Sequence, residues 1–127
     1  MRGYIAYMNR ITETFIGCAI RAINTLGAGF LERIYENALV LDLHTVGLTA
    51  TQQVAVAVTN RDVAVGAYTA GWLVEDTAIA ELKTVKAFDS IHAAQCINQL
   101  KATGLLLCLL LNFGGPSLGI QRIANNA

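Results

Sequence analysis

Thr77-Ala78-Ile79-Ala80-Glu81-Leu82-Lys83-Thr84-Val85 is an apolar run that carries one carboxylate and one ammonium two residues apart. Alternate side chains of a strand point to the same side, so Glu81 and Lys83 share one face while Leu82 turns to the core. A carboxylate and an ammonium presented side by side are half of what a metal-dependent phosphodiesterase needs. The other half, a second metal-binding carboxylate, is expected on the preceding strand, Ala67 to Val74, close to Ala70-Gly71-Trp72, and the chain has glycine there. Taken alone, a Glu-Leu-Lys triplet is far more often a solvated strand face, so its weight depends on its surroundings.

Upstream, Ile11, Phe15, Cys18, Ala19, Ala22, Ile23 and Leu26 are spaced by three and four and stop at Gly27, which predicts an amphipathic helix over Ile11 to Leu26. After Gly27-Ala28-Gly29 the pattern resumes through Phe30, Leu31, Ile34, Tyr35, Ala38, Leu39, Leu41 and Leu43 to Gly47, a second helix across a tight glycine joint. From Gln52 the period changes to two. Val54, Val56 and Val58 alternate, Thr59-Asn60-Arg61-Asp62 reads as a turn, and Val63 to Val74 and Ala78 to Val85 follow as strands around Glu75-Asp76-Thr77. A three-stranded antiparallel meander is the simplest arrangement. Asp89-Ser90 offers an N-cap for a third helix with Ala93, Cys96, Ile97 and Leu100 inward and Gly104 at its end. Leu105 to Leu111 is apolar on both faces, as a central strand covered on each side must be, and Gly114-Gly115-Pro116 turns the chain into a last short strand, Leu118 to Ile123. The predicted order is ααβββαβ with a final β, one α/β domain over residues 1–127.

A chain of 127 residues with 54% hydrophobic content and one proline can build one full core. Nine Lys plus Arg balance nine Asp plus Glu, so no global field draws in nucleic acid, and any DNA contact needs a local patch. The longest apolar run, Leu105 to Leu111, is far short of the roughly 20 residues of a spanning helix, so no membrane insertion is expected. Met1 to Thr14 is broken by Arg2, Asn9, Arg10 and Glu13 and has no signal-peptide core, which makes a cytoplasmic location the default expectation. Cys18, Cys96 and Cys108 are odd in number, widely spaced and set among apolar neighbours, the pattern of buried free thiols.

Glu32 falls in the first turn of the second helix, three residues after Gly29 and three before Tyr35, and shares a helical surface with Tyr35 and Glu36. A carboxylate there also stabilises the helix dipole by about 0.3 to 1 kcal/mol, which is reason enough for its presence. His92, Gln95 and Gln99 form a polar ridge on the third helix, opposite its apolar stripe, as a solvated face would. No phosphate-cradling glycine motif follows a strand, and His44 and His92 lie in no nucleophile motif.

Together the pieces are more specific than singly. Gly29-Phe30-Leu31-Glu32-Arg33-Ile34-Tyr35-Glu36-Asn37-Ala38 matches the signature of the GxxExxY family, and Glu81-Leu82-Lys83 falls where that family carries its E-x-K. Ile91 to Asn98, Lys101 to Gly104 and Leu111 to Gly114 resemble further family blocks in the family order, so the resemblance runs from about Ile11 to Ile123. That family is placed in the PD-(D/E)XK nuclease superfamily, and the resemblance implies a restriction-endonuclease-like core, a mixed sheet flanked by helices. It further implies that Glu32 is the helix carboxylate reaching a metal, Glu81 a direct metal ligand, Lys83 the group that orients the attacking water, and Gln95 the supporting helix glutamine. The implied cofactor is Mg²⁺ or Mn²⁺, held by carboxylates, phosphate and water. The chain departs from the family pattern at Gly71, where the metal-binding aspartate stands in a segment written here Tyr68-Thr69-Ala70-Gly71. It also has Thr69 in the place of arginine and Gln99 in the place of a tyrosine.

Three functions stay open. The first is a degenerate nuclease homologue that binds nucleic acid weakly or a protein partner. The second is an Mg²⁺-dependent DNA nuclease with a rearranged site, and the third a structural module, such as a homo-oligomer, that needs no nucleic acid. Whether the chain is an enzyme turns on Gly71. An aspartate at that position is expected to return the second ligand.

Overall fold

The computed structural model describes residues 2–52, 55–69 and 71–124. Helix α1 spans Arg2–Leu26 and begins nine residues ahead of the predicted start, with Met8 buried on the same stripe as Ile11, Phe15 and Cys18 and residues 3–7 exposed. Helix α2 spans Glu32–Val46, and its Tyr35, Leu39 and Leu43 are buried at helical spacing. Seven strands follow: β1 Ala50–Gln52, β2 Ala55–Asn60, β3 Val63–Thr69, β4 Trp72–Val74, β5 Ala78–Lys83, β6 Leu107–Asn112 and β7 Gly119–Ala124, with α3, Ser90–Thr103, between β5 and β6.

The expected three-stranded meander is not formed. Val63 to Val74, read as one strand, is two: β3 pairs only with β2 in a two-stranded sheet, while β4 joins a five-stranded sheet of order β1-β4-β5-β6-β7. Burial separates them: Val63 and Val65 of the hairpin are each 62% exposed, whereas Trp72 and Val74 lie in the core. The β2–β3 turn, Arg61-Asp62, and the β4–β5 turn, Glu75-Asp76, have positive φ at both central residues, the backbone that suits the right-handed twist of a tight hairpin. Val54 and Ala70, which the sequence reading placed in strands, lie outside the described residues.

The five-stranded sheet is mixed, with β5 and β6 parallel and the other neighbours antiparallel. Its two central strands send alternate side chains into two helical layers. Ala78, Ala80, Leu82, Leu107, Leu109 and Leu111 pack with Phe15, Cys18, Tyr35 and Leu39 of α1 and α2. Ile79, Cys108 and Leu110 meet Cys96 and Leu100 of α3 on the other side. This is why Leu105 to Leu111 reads as apolar throughout: all six residues of β6 are buried. α3 is the crossover that a parallel pair requires. It starts on a capping box in which the Asp89 carboxylate accepts from Ile91 N–H at 2.9 Å and His92 Nδ1 accepts from Asp89 N–H at 3.0 Å. Its inward face differs from the predicted stripe: Ile97 is 42% exposed, and Gln99 is buried in its stead. Among the described residues no helix is long and apolar enough to cross a membrane.

Candidate functional site

Glu81 and Lys83 are the last polar pair of β5, on the face that Ile79 turns toward α3, and each is half-buried. The loop beyond them is held by Asn112 at the end of β6. Its Oδ1 accepts from the N–H groups of Val85 at 3.0 Å and Gly114 at 2.9 Å, and its Nδ2 donates to Val85 O at 2.8 Å. A single buried amide thus satisfies three backbone groups that would otherwise lack partners.

Glu32 arrives from the other helical layer, positioned by its neighbours in the motif. Gly29 has φ 104°, a conformation open to glycine, and lets the chain reverse between α1 and α2. The Tyr35 hydroxyl then ties the joint, donating to Gly27 O at 2.6 Å and accepting from Phe30 N–H at 3.3 Å. The Tyr35 ring stacks on Phe113 at 4.8 Å, and Phe113 N–H donates to Lys83 O at 2.8 Å. The first turn of α2 is thereby fixed beside the end of β5. Burial holds the Glu32 carboxyl above the usual carboxylate range; the Lys83 ammonium pulls it back, and Glu36 and Glu81 push it further up. Glu32, Glu81 and Lys83 therefore lie within electrostatic reach of one another.

Gln99 supplies a contact that the sequence reading did not assign. Its Nε2 donates to Glu81 Oε1 at 2.6 Å, and its Oε1 accepts from Gly71 N–H at 3.4 Å. Gln95, one turn earlier and half-buried, makes no side-chain hydrogen bond to a described residue. Of the polar ridge of α3, Gln99 thus turns to the sheet, while His92 closes the capping box. The available signal was the spacing of Gln95 and Gln99, four apart on one helical surface; which of the two reaches Glu81 depends on how α3 is set against β5.

Gly71 precedes β4, where Trp72 pairs with Ala80, and so lies across from Glu81. A Cβ built there would stand 3.0 Å from Glu81 Cδ and Oε1 but only 2.5 Å from Ala80 O. A side chain at 71 would point at the Glu81 carboxylate, as a second ligand should. The backbone, however, has closed on the glycine, so an aspartate does not fit without moving β4 from β5. Glu75 offers no replacement. Its carboxylate accepts from Thr49 N–H at 2.7 Å at the far end of β4, and its own N–H donates to Thr49 O at 2.9 Å.

The donor set does not fit a resident divalent cation. Glu81 has one oxygen committed to Gln99, position 71 has no side chain, and among the described residues no three His, Cys, Asp or Glu groups come together as metal ligands. What remains is Glu81 and Lys83 side by side at the end of β5, with Glu32 at the start of α2 close enough to feel both charges.

A mixed sheet with a parallel central pair, helices on both faces and a Glu-x-Lys at the end of the first central strand defines a nuclease-type α/β fold of the restriction-endonuclease-like class. The chain belongs to the PD-(D/E)XK nuclease superfamily, whose family model matches residues 9–123. That superfamily is generally dependent on divalent metals. Searches of curated proteins and of solved structures find no match.

Proposed function

We propose that this chain is a degenerate PD-(D/E)XK homologue of the GxxExxY type, a single domain over residues 1–127 that keeps the nuclease fold and its Glu81–Lys83 pair but has lost efficient metal-dependent phosphodiester cleavage. Its remaining activity is weak, electrostatic binding of nucleic acid through Lys83 and Lys86 beside that site. The observation that carries this reading is Gly71: the position facing Glu81 has no ligand, and Ala80 O stands 2.5 Å from where a Cβ would be. Without the second strand carboxylate nothing fixes a cation against both the water and the scissile phosphate. Glu32, Glu81 and Lys83, with the neutral Gln95, would then survive as a polar surface without the roles they have in a working relative.

Charge balance limits the affinity, with nine basic and nine acidic residues. Lys83 at the end of β5 and exposed Lys86 in the loop three residues on serve as the phosphate contacts. Lys101 belongs to a different surface, a groove of about 530 Å³ between α3 and the β2–β3 hairpin. Two phosphate contacts correspond to a slope of about −2 in log K against log salt.

The test is a DNA-cleavage assay on the wild type and Glu81→Ala with Mg²⁺, Mn²⁺ and chelator, together with binding at several salt concentrations. The expected result is no difference between wild type and Glu81→Ala in cleavage, and weak binding lost as salt rises. Robust chelator-sensitive cleavage by the wild type, abolished in Glu81→Ala, overturns the reading in favour of a nuclease with a rearranged metal site.

A further inference from the structure

We infer that the Gln99 side-chain amide has taken the place of the cation, bridging Glu81 to Gly71 and holding the site together without metal. Three observations converge on this. Gln99 is 1% exposed, so its amide is committed to the interior and needs partners there. Its two partners fix which way the amide faces. A carboxylate only accepts and a backbone N–H only donates, so the NH₂ must meet Glu81 and the carbonyl must meet Gly71, as found at 2.6 and 3.4 Å. The 2.6 Å contact is short even for a hydrogen bond to an ionised acceptor, and it engages the same Oε1 that a Cβ at 71 would approach to 3.0 Å.

Glycine at 71 and glutamine at 99 therefore complement one another. The glycine removes a ligand and leaves a backbone N–H facing α3, while the glutamine neutralises neither carboxylate nor lysine but satisfies Glu81 with a fixed dipole. A divalent ion binding Glu81 through Oε1 would have to displace a buried hydrogen bond and leave an amide unpartnered, with Glu32 the one other carboxylate near the site. The bridge needs a donor and an acceptor on one side chain. Gln99→Met, similar in length, gives Glu81 no donor. Gln99→Glu sets a second carboxylate against the first and adds to Glu32 and Glu81, so that position 99 changes from a cation substitute into a cation ligand.

The inference deepens the proposed function and rests on it, and the experiment separates the two. Mn²⁺ binding is read by loss of the free-ion electron paramagnetic resonance signal, and unfolding temperature is followed with Mn²⁺ or chelator, for the wild type, Gln99→Glu and Gln99→Glu/Glu81→Gln. The wild type is expected to leave the Mn²⁺ signal unchanged and to unfold at the same temperature in Mn²⁺ and chelator. Gln99→Glu is expected to bind Mn²⁺ at least about tenfold more tightly and to unfold at a higher temperature with Mn²⁺ than without, by mass action on the folded state. The double variant loses that gain. If Gln99→Glu does not fold in chelator, refolding it with Mn²⁺ decides: rescue supports the inference, and failure of rescue overturns it. Stoichiometric Mn²⁺ binding by the wild type without cleavage overturns the inference and leaves the proposed function standing. Chelator-sensitive cleavage by the wild type overturns the proposed function itself.

Discussion

Gly71→Ala is the most direct probe of how tightly the sheet has closed over the missing ligand. The added Cβ would lie 2.5 Å from Ala80 O, about 0.9 Å short of ordinary van der Waals contact. Ala80 is paired with Trp72 in the β4–β5 ladder, so relief requires moving one central strand from its neighbour rather than rotating a side chain. Overpacking of this kind costs about 1–3 kcal/mol, and restriction of the unfolded chain returns about 0.4–1 kcal/mol. The expected net loss is about 1–2 kcal/mol. Entropies of unfolding near 2.1 cal/mol/K per residue make 1 kcal/mol worth about 4 °C in a chain of this length, so Tm should fall by about 4–8 °C. Gly66→Ala is the control, since a Cβ there meets nothing within 4 Å; only the unfolded-chain term applies, and Tm should rise by about 2–4 °C. Thermal unfolding followed by circular dichroism measures both. A Gly71→Ala protein as stable as Gly66→Ala would show that β4 yields freely, and the closed-strand account of the site would be wrong.

Tyr35→Phe leaves Gly27 O and Phe30 N–H without their partner and should cost about 1–3 kcal/mol in denaturant unfolding; an unchanged midpoint would refute the claim that this hydroxyl ties the α1–α2 joint. Glu32 has its carboxyl raised in the folded state, chiefly by burial, so its contribution to stability is fully present below the unfolded value near 4.3 and is lost as pH rises through the higher folded value. Glu32→Gln should therefore raise Tm at neutral pH and make no difference near pH 4, and a variant less stable than wild type at neutral pH contradicts the sign. Cys18, Cys96 and Cys108 are all fully buried. Burial raises the Cys18 thiol and the shared hydrogen bond raises Cys108 while lowering Cys96, but all three are closed to reagent, so thiol titration at mildly alkaline pH should be slow in the native protein and count three groups once it is unfolded. Rapid native labelling would place a cysteine outside the core.

What the sequence determined by itself was whatever depends on spacing along the chain. The stops at Gly27, Gly47 and Gly104, the Asp89 cap, the alternation that puts Glu81 with Lys83, and the apolar run that makes β6 a covered central strand are local signals, because each reflects one element's own geometry. The GxxExxY motif was legible for the same reason, and the structure adds what each of its members does: Gly29 reverses the chain, Tyr35 ties the joint, and Glu32 stands at the first turn beside Lys83. The tertiary structure alone decided which elements meet. Val63 to Val74 reads in sequence as one strand, yet it serves two sheets, because pairing with β2 or with β5 is chosen by partners distant in the chain. Gln95 and Gln99 look alike on a helical wheel, and only the placement of α3 against β5 sends the amide of Gln99 to Glu81. Gly71 likewise reads in sequence as one missing carboxylate. Its consequence, a strand closed against Ala80 with an amide bridging the gap, follows from packing between residues that the chain itself keeps far apart.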